Sequence, residues 1–386
     1  MKNNYNCDVI IVGLGPTGAV LANILGAYGW SVVALERDAA IYPKPRAVHM
    51  DDEIMRIFQS LDLATEISRT SVPFKRMELL TKVSEKPDVT LEVGSQDYPY
   101  GYNGAFWFYQ PTLEQHIQDG YKRYESVTAL FSTALTSFAQ NEEVVIARAK
   151  HAGDSIKITG KYLIGCDGGK SFVRKTAGLA LASANFDEPW VVIDAKTRSG
   201  KVDPDLPINH RQYCIPEQPV TYVPMPGPYY RWEFMVNDGK GKDEVVDEDY
   251  VREKLKPFVD LDKIDILRTA FYNFHALWAE KWQNGRVLIA GDAAHQMPPF
   301  LGQGMCSGLR DAFALGWRLD AILSGKAPHN LLHSYEAERK KHVIHLIKGA
   351  VLMGSIIQTK HKWKAWLRNI LLFKPLAHSK TFKAFF

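Results

Sequence analysis

The sequence predicts an α/β protein of two lobes, and three observations support this fold class. A strand, a glycine turn, a helix and a second strand fit into residues 7–37, about the length of one βαβ unit. Further short apolar runs, at 162–164 and 287–290, end at a glycine or an acidic residue and are typical of buried strands. Residues 189–274 alternate like the strands of a mixed, mostly antiparallel sheet. A length of 386 residues is sufficient for both lobes.

The composition is that of an ordinary soluble globular protein, with 46% hydrophobic and 23% charged residues. A net charge of +4 is too small to indicate nucleic-acid binding. The four cysteines have neither metal-ligand nor redox-pair spacing, so we expect reduced thiols, a cytoplasmic location and no metal site. Because no run of about 18 uncharged apolar residues exists, we expect no membrane-spanning helix.

The glycine turn after the first strand carries the most specific local motif, G-x-G-x-x-G. Gly13 permits the tight turn, Gly15 lets a pyrophosphate approach the backbone, and Gly18 lets the helix pack close to the strand. Glu36 ends the second strand, where a ribose diol needs an acceptor. The turn therefore predicts a Rossmann-like dinucleotide site rather than an ordinary tight turn. The predicted binding set here is Gly13, Gly15, Pro16, Thr17, Gly18, Glu36 and Arg37.

A second carboxylate follows the strand at 162–164. Asp167 and Gly168 come directly after it, and Ser171 can begin the next helix. Because the carboxyl ends of parallel strands meet at one edge of a sheet, we expect Asp167 to face the same crevice as Gly13.

The stretch 286–318 supplies a third strand end. Gly291 and Asp292 follow the apolar run, a loop rich in proline and glycine comes next, and apolar residues then recur at helical spacing through Leu309, Phe313, Leu315 and Leu319. A carboxylate followed by a helix amino end offers an acceptor for hydroxyls and then N–H donors for an electron-rich group. The candidate ligand-binding residues here are Gly291, Asp292, Pro299, Gly302, Gln303, Gly304 and Met305.

Three polar residues between these motifs allow two interpretations each. Arg46 precedes a predicted helix and can reach a phosphate or a nicotinamide cofactor, or form a surface ion pair. Gln110, at another helix entry, can donate to a ligand or only cap the helix. His49 is suited to proton transfer near neutral pH, although most isolated histidines do no chemistry, and the neighbouring Asp51 and Asp52 are typical helix caps.

Taken together, the motifs resemble the flavin-dependent aromatic hydroxylases related to para-hydroxybenzoate hydroxylase. The resemblance rests on the glycine fingerprint with Glu36, then Asp167-Gly168, then GDAAH beginning at Gly291. The segments PRAVHMDDEIMRIFQSLDL, CDGGKSFVRKT, RWEFMV and GQGMCSGLRDAF are most similar to the branch of 3-(3-hydroxyphenyl)propionate hydroxylases. The likeness runs from about residue 7 to the end of the chain.

The resemblance implies FAD as cofactor and NADH or NADPH as co-substrate. The ADP half of FAD is expected on the glycine turn and Glu36, and a ribityl hydroxyl on Asp292. Residues 302–305 are expected to cover the pyrimidine edge of the ring, and Arg46, Gln110 and Asp167 to border the cofactor.

The implied reaction is hydroxylation of a phenolic substrate, such as a hydroxyphenylpropionate or hydroxycinnamate, by O₂ through a C4a-hydroperoxyflavin. His49 is the candidate catalytic base, and Tyr222 and Arg231 are guessed as anchors for the substrate. Two alternatives stay open: an FAD-dependent oxidoreductase that inserts no oxygen into a ring, and a non-catalytic FAD-binding remnant. No W-x-W-x-I-P signature of flavin halogenases is present.

Two departures from the family stand out. Relatives usually continue into a thioredoxin-like domain, whereas this sequence stops at Phe386, and Cys306 stands where many relatives have Asn. We expect the FAD-binding lobe to be discontinuous in sequence and to be followed by a C-terminal basic helical segment. The predicted division is 1–75, 105–185 and 275–345 for the FAD-binding lobe, 76–104 and 186–274 for the substrate lobe, and 346–386 for the C-terminal segment.

The C-terminal stretch is strongly basic. Residues 340–386 contain ten Lys or Arg and no Asp or Glu, interleaved with Trp363, Trp366, Leu371 and Phe373. Such a segment can rest on a membrane surface or on nucleic acid. We favour a basic helical face packed on its own protein or on a partner subunit, which makes a homodimer possible.

Overall fold

A computed structural model describes residues 4–84, 86–93 and 98–378 of the chain. The strands are β1 (Asn4–Val12), β2 (Val32–Leu35), β3 (His49–Asp51), β4 (Val72–Pro73), β5 (Arg76–Leu80), β6 (Val89–Glu92), β7 (Ala105–Trp107), β8 (Val127–Leu130), β9 (Thr133–Gln140), β10 (Val145–His151), β11 (Asp154–Gly165), β12 (Leu181–Thr197), β13 (His210–Tyr213), β14 (Val220–Pro224), β15 (Tyr229–Met235), β16 (Ile264–Ala279), β17 (Gln283–Asn284), β18 (Val287–Ile289) and β19 (His295–Gln296).

The α-helices are α1 (Pro16–Ala27), α2 (Asp52–Gln59), α3 (Ala64–Arg69), α4 (Gln110–Tyr121), α5 (Phe172–Thr176), α6 (Lys242–Val245), α7 (Glu248–Leu255), α8 (Gly304–Leu323), α9 (His333–Ile357), α10 (Lys362–Arg368) and α11 (Lys374–His378). Short 3₁₀ turns lie at Gly291–Ala293, Pro299–Leu301 and His329–Leu332, and a π-helical turn, Asn369–Phe373, joins α10 to α11.

The first sheet is built around five parallel strands in the order β18, β11, β1, β2, β8. Their side chains are apolar on both faces because helices cover the sheet, and Val9, Ile10 and Ile11 are fully buried. The antiparallel β9–β10 hairpin extends from β11, and β17 borders β18. The strand order reverses next to β1, which is where open α/β sheets bind ligands.

The second sheet runs β19, β16, β12, β15, β14, β13, β5, β6, and every pairing in it is antiparallel except that of β13 with β5. Its outer face carries a separate core, in which Tyr222 and Trp232 pack with the apolar side of α7. Its inner face turns toward the first lobe and carries buried polar residues, because successive side chains of a strand point to opposite faces. The small sheet β3–β7–β4 is the third sheet.

The contact between α1 and α8 holds the carboxyl ends of the first sheet in place. Gly308 and Gly316 make it possible, because a Cβ at Gly308 would lie 2.3 Å from Thr17 Oγ1 and one at Gly316 would lie 2.3 Å from Ile24 Cγ2. Helix α8 therefore approaches α1 more closely than side chains at these positions would permit.

The predicted fold class is confirmed: a Rossmann-like lobe assembled from distant segments, a mixed and mostly antiparallel second lobe, and helices at the C-terminal end. The predicted lobe boundaries stay a prediction, and their residues 1–3, 85, 94–97 and 379–386 lie outside the described part of the chain. The sequence also placed His49 at the start of the helix that Asp51 and Asp52 cap, and this expectation was wrong, because His49 lies in strand β3. Phe313 lies on α8 as its spacing predicts, but it is 44% exposed whereas Leu309 and Leu315 are fully buried.

Among the described residues no single helix is long and apolar enough to cross a membrane. The helical segments His329–Ile357 and Lys362–His378 are long and apolar enough for a membrane span only when they are taken together, and a bend of 111° separates them.

We expect Gly316→Ala to destabilise the protein by roughly 1–3 kcal/mol, because the new methyl group must displace Ile24 at a tightly packed helix contact. Gly349→Ala is the matched control, since its Cβ would meet Leu301 at an ordinary 3.4 Å and gains the same helix propensity of about 1 kcal/mol. Urea unfolding of both variants measures the difference. Equal stability of the two variants would contradict the close-packing argument.

Candidate functional site

Four segments end at the same edge of the first sheet. Strands β1, β2, β11 and β18 are parallel neighbours, so the residues that follow them, Gly13, Glu36, Asp167 and Asp292, are brought to one crevice. A Cβ at Gly13 would lie 2.4 Å from the carbonyl oxygen of Cys166, which places the turn after β1 directly against the turn after β11.

The glycine turn has the geometry of an anion-binding loop. Gly13 has φ +97°, and a Cβ at Gly18 would lie 2.0 Å from the carbonyl oxygen of Gly13. By contrast, a Cβ at Gly15 would meet no atom within 4 Å, so the turn is open at the one position where a ligand must approach. Helix α1 begins at Pro16 without a side-chain cap, which leaves the N–H groups of its first turn for a ligand.

Glu36 is held beside this turn by its own hydrogen bonds. Its Oε2 accepts the N–H of Leu14 at 2.9 Å, and its Oε1 accepts the N–H of Asp38 at 3.0 Å. Each oxygen keeps a lone pair for a hydroxyl donor. The neighbouring Arg37 points outward, with 77% of its side chain exposed and its guanidinium 3.9 Å from Asp38.

The turn after β18 is fixed by a buried carboxylate on α8. Asp311 accepts the N–H of Gly291 at 3.0 Å, His295 lies 2.6 Å from its Oδ2, and Arg339 donates to its Oδ1 at 2.9 Å. Burial by itself raises the pKa of Asp311, but the interactions with His295 and Arg339 outweigh it and hold the pKa below its usual value. Gly291 has φ +61° and lies against Thr17, so this turn is also fastened to α1.

Asp292 is the acidic group that this turn presents to the crevice. Its side chain is accessible and makes no hydrogen bond or ion pair to other described residues. Desolvation by the surrounding protein raises its pKa, and the positive charges of His295 and Arg46 oppose that rise. An unpaired acceptor beside the glycine turn is suited to a ligand hydroxyl.

The loop before α8 faces His49. The carbonyl oxygen of Gly302 lies 3.2 Å from His49 Nδ1, and since a carbonyl can only accept, Nδ1 carries the proton and Nε2 has a free lone pair. Helix α8 begins at Gly304 without a side-chain cap, which leaves N–H groups there, near Met305. Pro299 is exposed on the same loop.

Two side chains at the junction of this loop with α8, Gln303 and Cys306, have protein partners. Gln303 donates to Asp51 at 2.9 Å and accepts from Arg310 at 3.0 Å, so its amide fastens α8 to the start of α2 rather than facing the crevice. The buried Cys306 thiol lies 3.8 Å from the carbonyl oxygens of His49 and Gly302, and burial raises its pKa. Only the backbone of Gln303 is therefore available to a ligand.

An aromatic cluster lies next to His49, between the small sheet and the inner face of the second sheet. The His49 ring contacts Trp107 edge-on with centroids 5.6 Å apart, and the Phe74 ring packs against Trp107 at 4.2 Å with a tilt of 32°. The His210 ring lies 5.5 Å from both Phe74 and Trp107. The cluster therefore forms an apolar wall with a histidine on each side.

His210 is a site candidate that sequence reasoning missed. It is 9% exposed, its Nδ1 has no hydrogen-bond partner, and burial lowers its pKa to about 3, so the ring is neutral. A buried unpaired ring nitrogen next to an aromatic wall is suited to a polar substituent of a ring-shaped ligand. The alternation of residues along the strand does not tell which face of the sheet carries His210, so the sequence did not single it out.

The guess that Tyr222 and Arg231 anchor a substrate is contradicted by their partners. Tyr222 lies on the outer face of the second sheet, where it is 1% exposed and donates to the carbonyl oxygen of Pro207 at 2.8 Å. Every nitrogen of Arg231 has a protein acceptor: Asp194 at 2.7 Å and the carbonyl oxygens of Arg46 and Pro45 at 2.7 and 2.9 Å. Neither side chain has a polar group left for a substrate.

Arg231 instead fixes the segment that carries Arg46. The fully buried Asp194 pairs with both Arg231 and Arg268, and both arginines donate to the backbone at Pro45. Arg46 itself is exposed, its guanidinium lies 5.2 Å from the Tyr42 ring centroid, and its charge acts on Asp292 of the crevice.

Gln110 and Asp167 also have structural partners. The Gln110 oxygen accepts the N–H groups of Arg46 and Ala47 at 2.7 and 2.6 Å, and its nitrogen donates to Glu114. Asp167 accepts the N–H groups of Phe172 and Val173 at 2.7 and 3.0 Å and so caps α5.

Gln110 and Asp167 border the crevice, but their side chains hold the backbone around it. Gly168 has φ +78° and a Cβ there would meet nothing within 4 Å. A cavity of about 750 Å³ lies elsewhere, on the outer side of α9 between Lys281 and His333, and none of the predicted site residues lines it.

The crevice meets the requirements of a flavin dinucleotide. It combines an open glycine turn at a helix amino end, an acceptor at Glu36 and an unpaired acceptor at Asp292 with a second uncapped helix end at Gly304. These groups match, respectively, a pyrophosphate, a ribose diol, a polyol chain and an electron-rich ring edge.

Comparisons with known proteins agree with this reading. A family model described as "FAD binding domain" matches residues 6–350. The chain is 36% identical to a Rhodococcus jostii protein named probable NADH-specific resorcinol 4-hydroxylase, over 90% of this chain and 65% of that protein. It is 33% identical to the 3-(3-hydroxy-phenyl)propionate/3-hydroxycinnamic acid hydroxylase of Mycolicibacterium smegmatis, over 95% of this chain and 64% of that protein. The chain thus spans a little under two thirds of the length of these relatives.

Solved structures show the same fold. The p-nitrophenol 4-monooxygenase of Pseudomonas putida superposes with a TM-score of 0.88 at 19% identity, covering 100% of this chain and 97% of that one. An aklavinone-11 hydroxylase, solved as a ternary complex with FAD and aklavinone, superposes with a TM-score of 0.82 at 25% identity, covering 95% of this chain and 71% of that one.

We expect Asp311→Asn to cost about 3–5 kcal/mol of stability, because Arg339 and His295 lose their buried counter-charge. Since the pKa of Asp311 is depressed in the folded protein, its contribution is complete above the unfolded-state pKa of about 3.9 and is lost as the pH falls through the folded-state pKa. Urea unfolding should give a constant difference between wild type and variant from neutral pH down to about pH 5, and a smaller one below pH 4.

The control for that experiment is Asp265→Asn, which breaks an exposed ion pair with Arg198 and should cost at most about 1 kcal/mol. A loss for Asp311→Asn as small as that of the control would mean that the turn at Gly291 is held by other contacts.

Proposed function

Because the chain belongs to the FAD-binding domain family, we propose that it is a flavoprotein monooxygenase that consumes NAD(P)H and O₂ and hydroxylates a phenolic aromatic substrate. The observation that carries the proposal is the position of the aromatic cluster. His49, on its edge, is hydrogen-bonded to the loop at Gly302 that precedes the uncapped end of α8, so a ring bound at this wall lies beside the expected flavin edge.

The chain's own groups account for cofactor binding. The N–H groups at the start of α1 would receive the pyrophosphate at Gly15, Glu36 the ribose, and Asp292 a hydroxyl of the ribityl chain. When bound, FAD supplies the redox chemistry, taking hydride from NAD(P)H and activating O₂. The positive end of α8 at Gly304 would stabilise negative charge on the ring edge it faces.

The aromatic cluster would exclude water from the substrate. Phe74 and Trp107 present apolar surface, and a dry pocket would limit side reactions with water. His49 would act as base: desolvation lowers its pKa, so it is neutral at lower pH than an ordinary histidine, and Nε2 is the nitrogen free to take the phenol proton. Removing that proton makes the ring more electron-rich at its ortho and para carbons.

The substrate class follows from the pocket and from kinship. His210 provides a neutral hydrogen-bonding group for a second substituent of the ring, and the relatives are named for resorcinol and for hydroxyphenylpropionate and hydroxycinnamate. We therefore propose a phenol with a further polar group, and NADH as donor in keeping with the name of the Rhodococcus relative. The four free thiols favour the cytoplasm, and no nucleic-acid partner is proposed.

The test uses the purified yellow protein with NADH and a panel of resorcinol, 3-hydroxyphenylpropionate and 3-hydroxycinnamate. We expect consumption of NADH and O₂ in equal amounts and a product that is heavier by one oxygen atom, with the label coming from ¹⁸O₂. NADH oxidation without oxygen in the product would indicate a reductase. A protein that binds FAD but oxidises no NADH with any substrate would be a non-catalytic relative.

We expect His49→Gln to reduce kcat by about 10²–10⁴-fold, the usual contribution of a general base. In the wild type, the acid limb of the kcat/KM profile should lie below the ordinary histidine pKa of about 6.5, because desolvation lowers the pKa of His49, and the limb should disappear in the variant. His210→Gln is the comparison: it should raise KM and leave the acid limb in place. An unchanged pH profile in His49→Gln would remove this residue from the reaction.

A further inference from the structure

The last helical segment of the described chain, α10, the π-helical turn and α11 together, is called here the terminal helix (362–378). Its inner face is fixed to the body of the protein. Phe373 and Leu376 are buried in a cluster with Leu79 and Val89 of the second sheet. Arg368 is 9% exposed and donates to the carbonyl oxygens of Cys214 and Ile356 at 2.8 and 3.0 Å, so the helix has a defined orientation.

The outer face of the terminal helix is apolar as well. Trp363 and Trp366 are each 62% exposed, Leu367 is 36% exposed and Leu371 is 67% exposed. Trp366, Leu367 and Leu371 follow Trp363 by three, four and eight residues. This spacing places the four side chains on one side of the helix. A packed helix normally presents polar groups to water, so four large exposed apolar side chains in a row indicate a surface that is covered in use.

Lysines accompany this apolar stripe on the terminal helix. They are Lys362, Lys364 and Lys374, and the segment 340–378 contains no acidic residue. Lys360 and Lys362 reach Glu188 and Glu217 of the second lobe at 3.3 and 2.8 Å, which holds the start of the helix to the body. Lys364 and Lys374 are exposed on the helix itself and make no ion pair with any other described residue. The surface thus combines apolar insertion groups with uncompensated positive charge.

These features disfavour two other occupants on physical grounds. In a symmetric dimer the same patch meets itself, and the segment offers no acidic residue to pair with Lys364 and Lys374 of the other copy. Nucleic acid would use the lysines but would leave Leu367 and Leu371 without a suitable partner, since branched aliphatic side chains provide no stacking surface.

We propose that the outer face of the terminal helix binds the surface of an anionic phospholipid bilayer. Trp side chains prefer the boundary between lipid headgroups and acyl chains, leucines enter the acyl region, and lysines contact the headgroup phosphates. The helix lies in the interface and does not cross the bilayer, in keeping with the bend of 111° that separates it from the preceding helical segment. This inference does not depend on the proposed reaction.

The test is flotation of the full-length, FAD-loaded protein with vesicles. We expect binding to phosphatidylcholine vesicles containing about one third phosphatidylglycerol and much weaker binding to pure phosphatidylcholine. Binding should weaken between about 0.1 M and 1 M salt, as the Debye length shortens from about 10 Å to 3 Å. The variant Trp363→Ser/Trp366→Ser should lose at least about tenfold in partition coefficient, because it removes the largest insertion groups.

The matched control is Trp317→Ser, which removes a tryptophan that is 40% exposed on α8 and stacked on Arg318 at 4.2 Å. It should bind vesicles like the wild type. Bound flavin absorbance and thermal unfolding of all variants report on folding.

Two results would overturn the proposal. One is a double variant that keeps its fold and binds anionic vesicles as tightly as the wild type. The other is a protein that binds neither kind of vesicle but shows, in sedimentation, a dimer that the double variant no longer forms, which would assign the face to a second copy of the chain.

Discussion

A single buried carboxylate determines the shape of the crevice. Asp311 accepts the N–H of Gly291 while it is paired with His295 and Arg339, so the turn after the last parallel strand cannot move independently of α8 and α9. The same turn lies against Thr17 at the start of α1. Both uncapped helix ends and Asp292 therefore keep fixed positions relative to one another, which a large ligand that spans them all requires.

The second lobe is fastened to this crevice by another buried charge cluster. Asp194 pairs with Arg231 and Arg268, and these arginines donate to the backbone that carries Arg46. A polar inner face of a sheet would be unstable if it were unpaired. The aromatic cluster is also next to this face, and in it His49 and His210 lie on either side of Phe74 and Trp107.

The two ends of the described chain have different structural roles. The first described residues form strand β1 and the glycine turn, and the last described residues add a helix whose inner face packs on the second lobe and whose outer face is apolar and basic.

The sequence by itself determined the α/β class, the glycine turn and the acidic residues at the strand ends, because these depend on local spacing and backbone requirements. Only the tertiary structure decided which side chains remain available. Gln110, Asp167, Gln303 and Arg231 are polar residues of suitable type, but their hydrogen-bonding groups already have protein partners. The structure also identified His210 and Asp311, which the sequence did not single out. Burial and partners that are distant in sequence determine the chemistry of these side chains, and neighbouring residues along the chain encode neither of these factors.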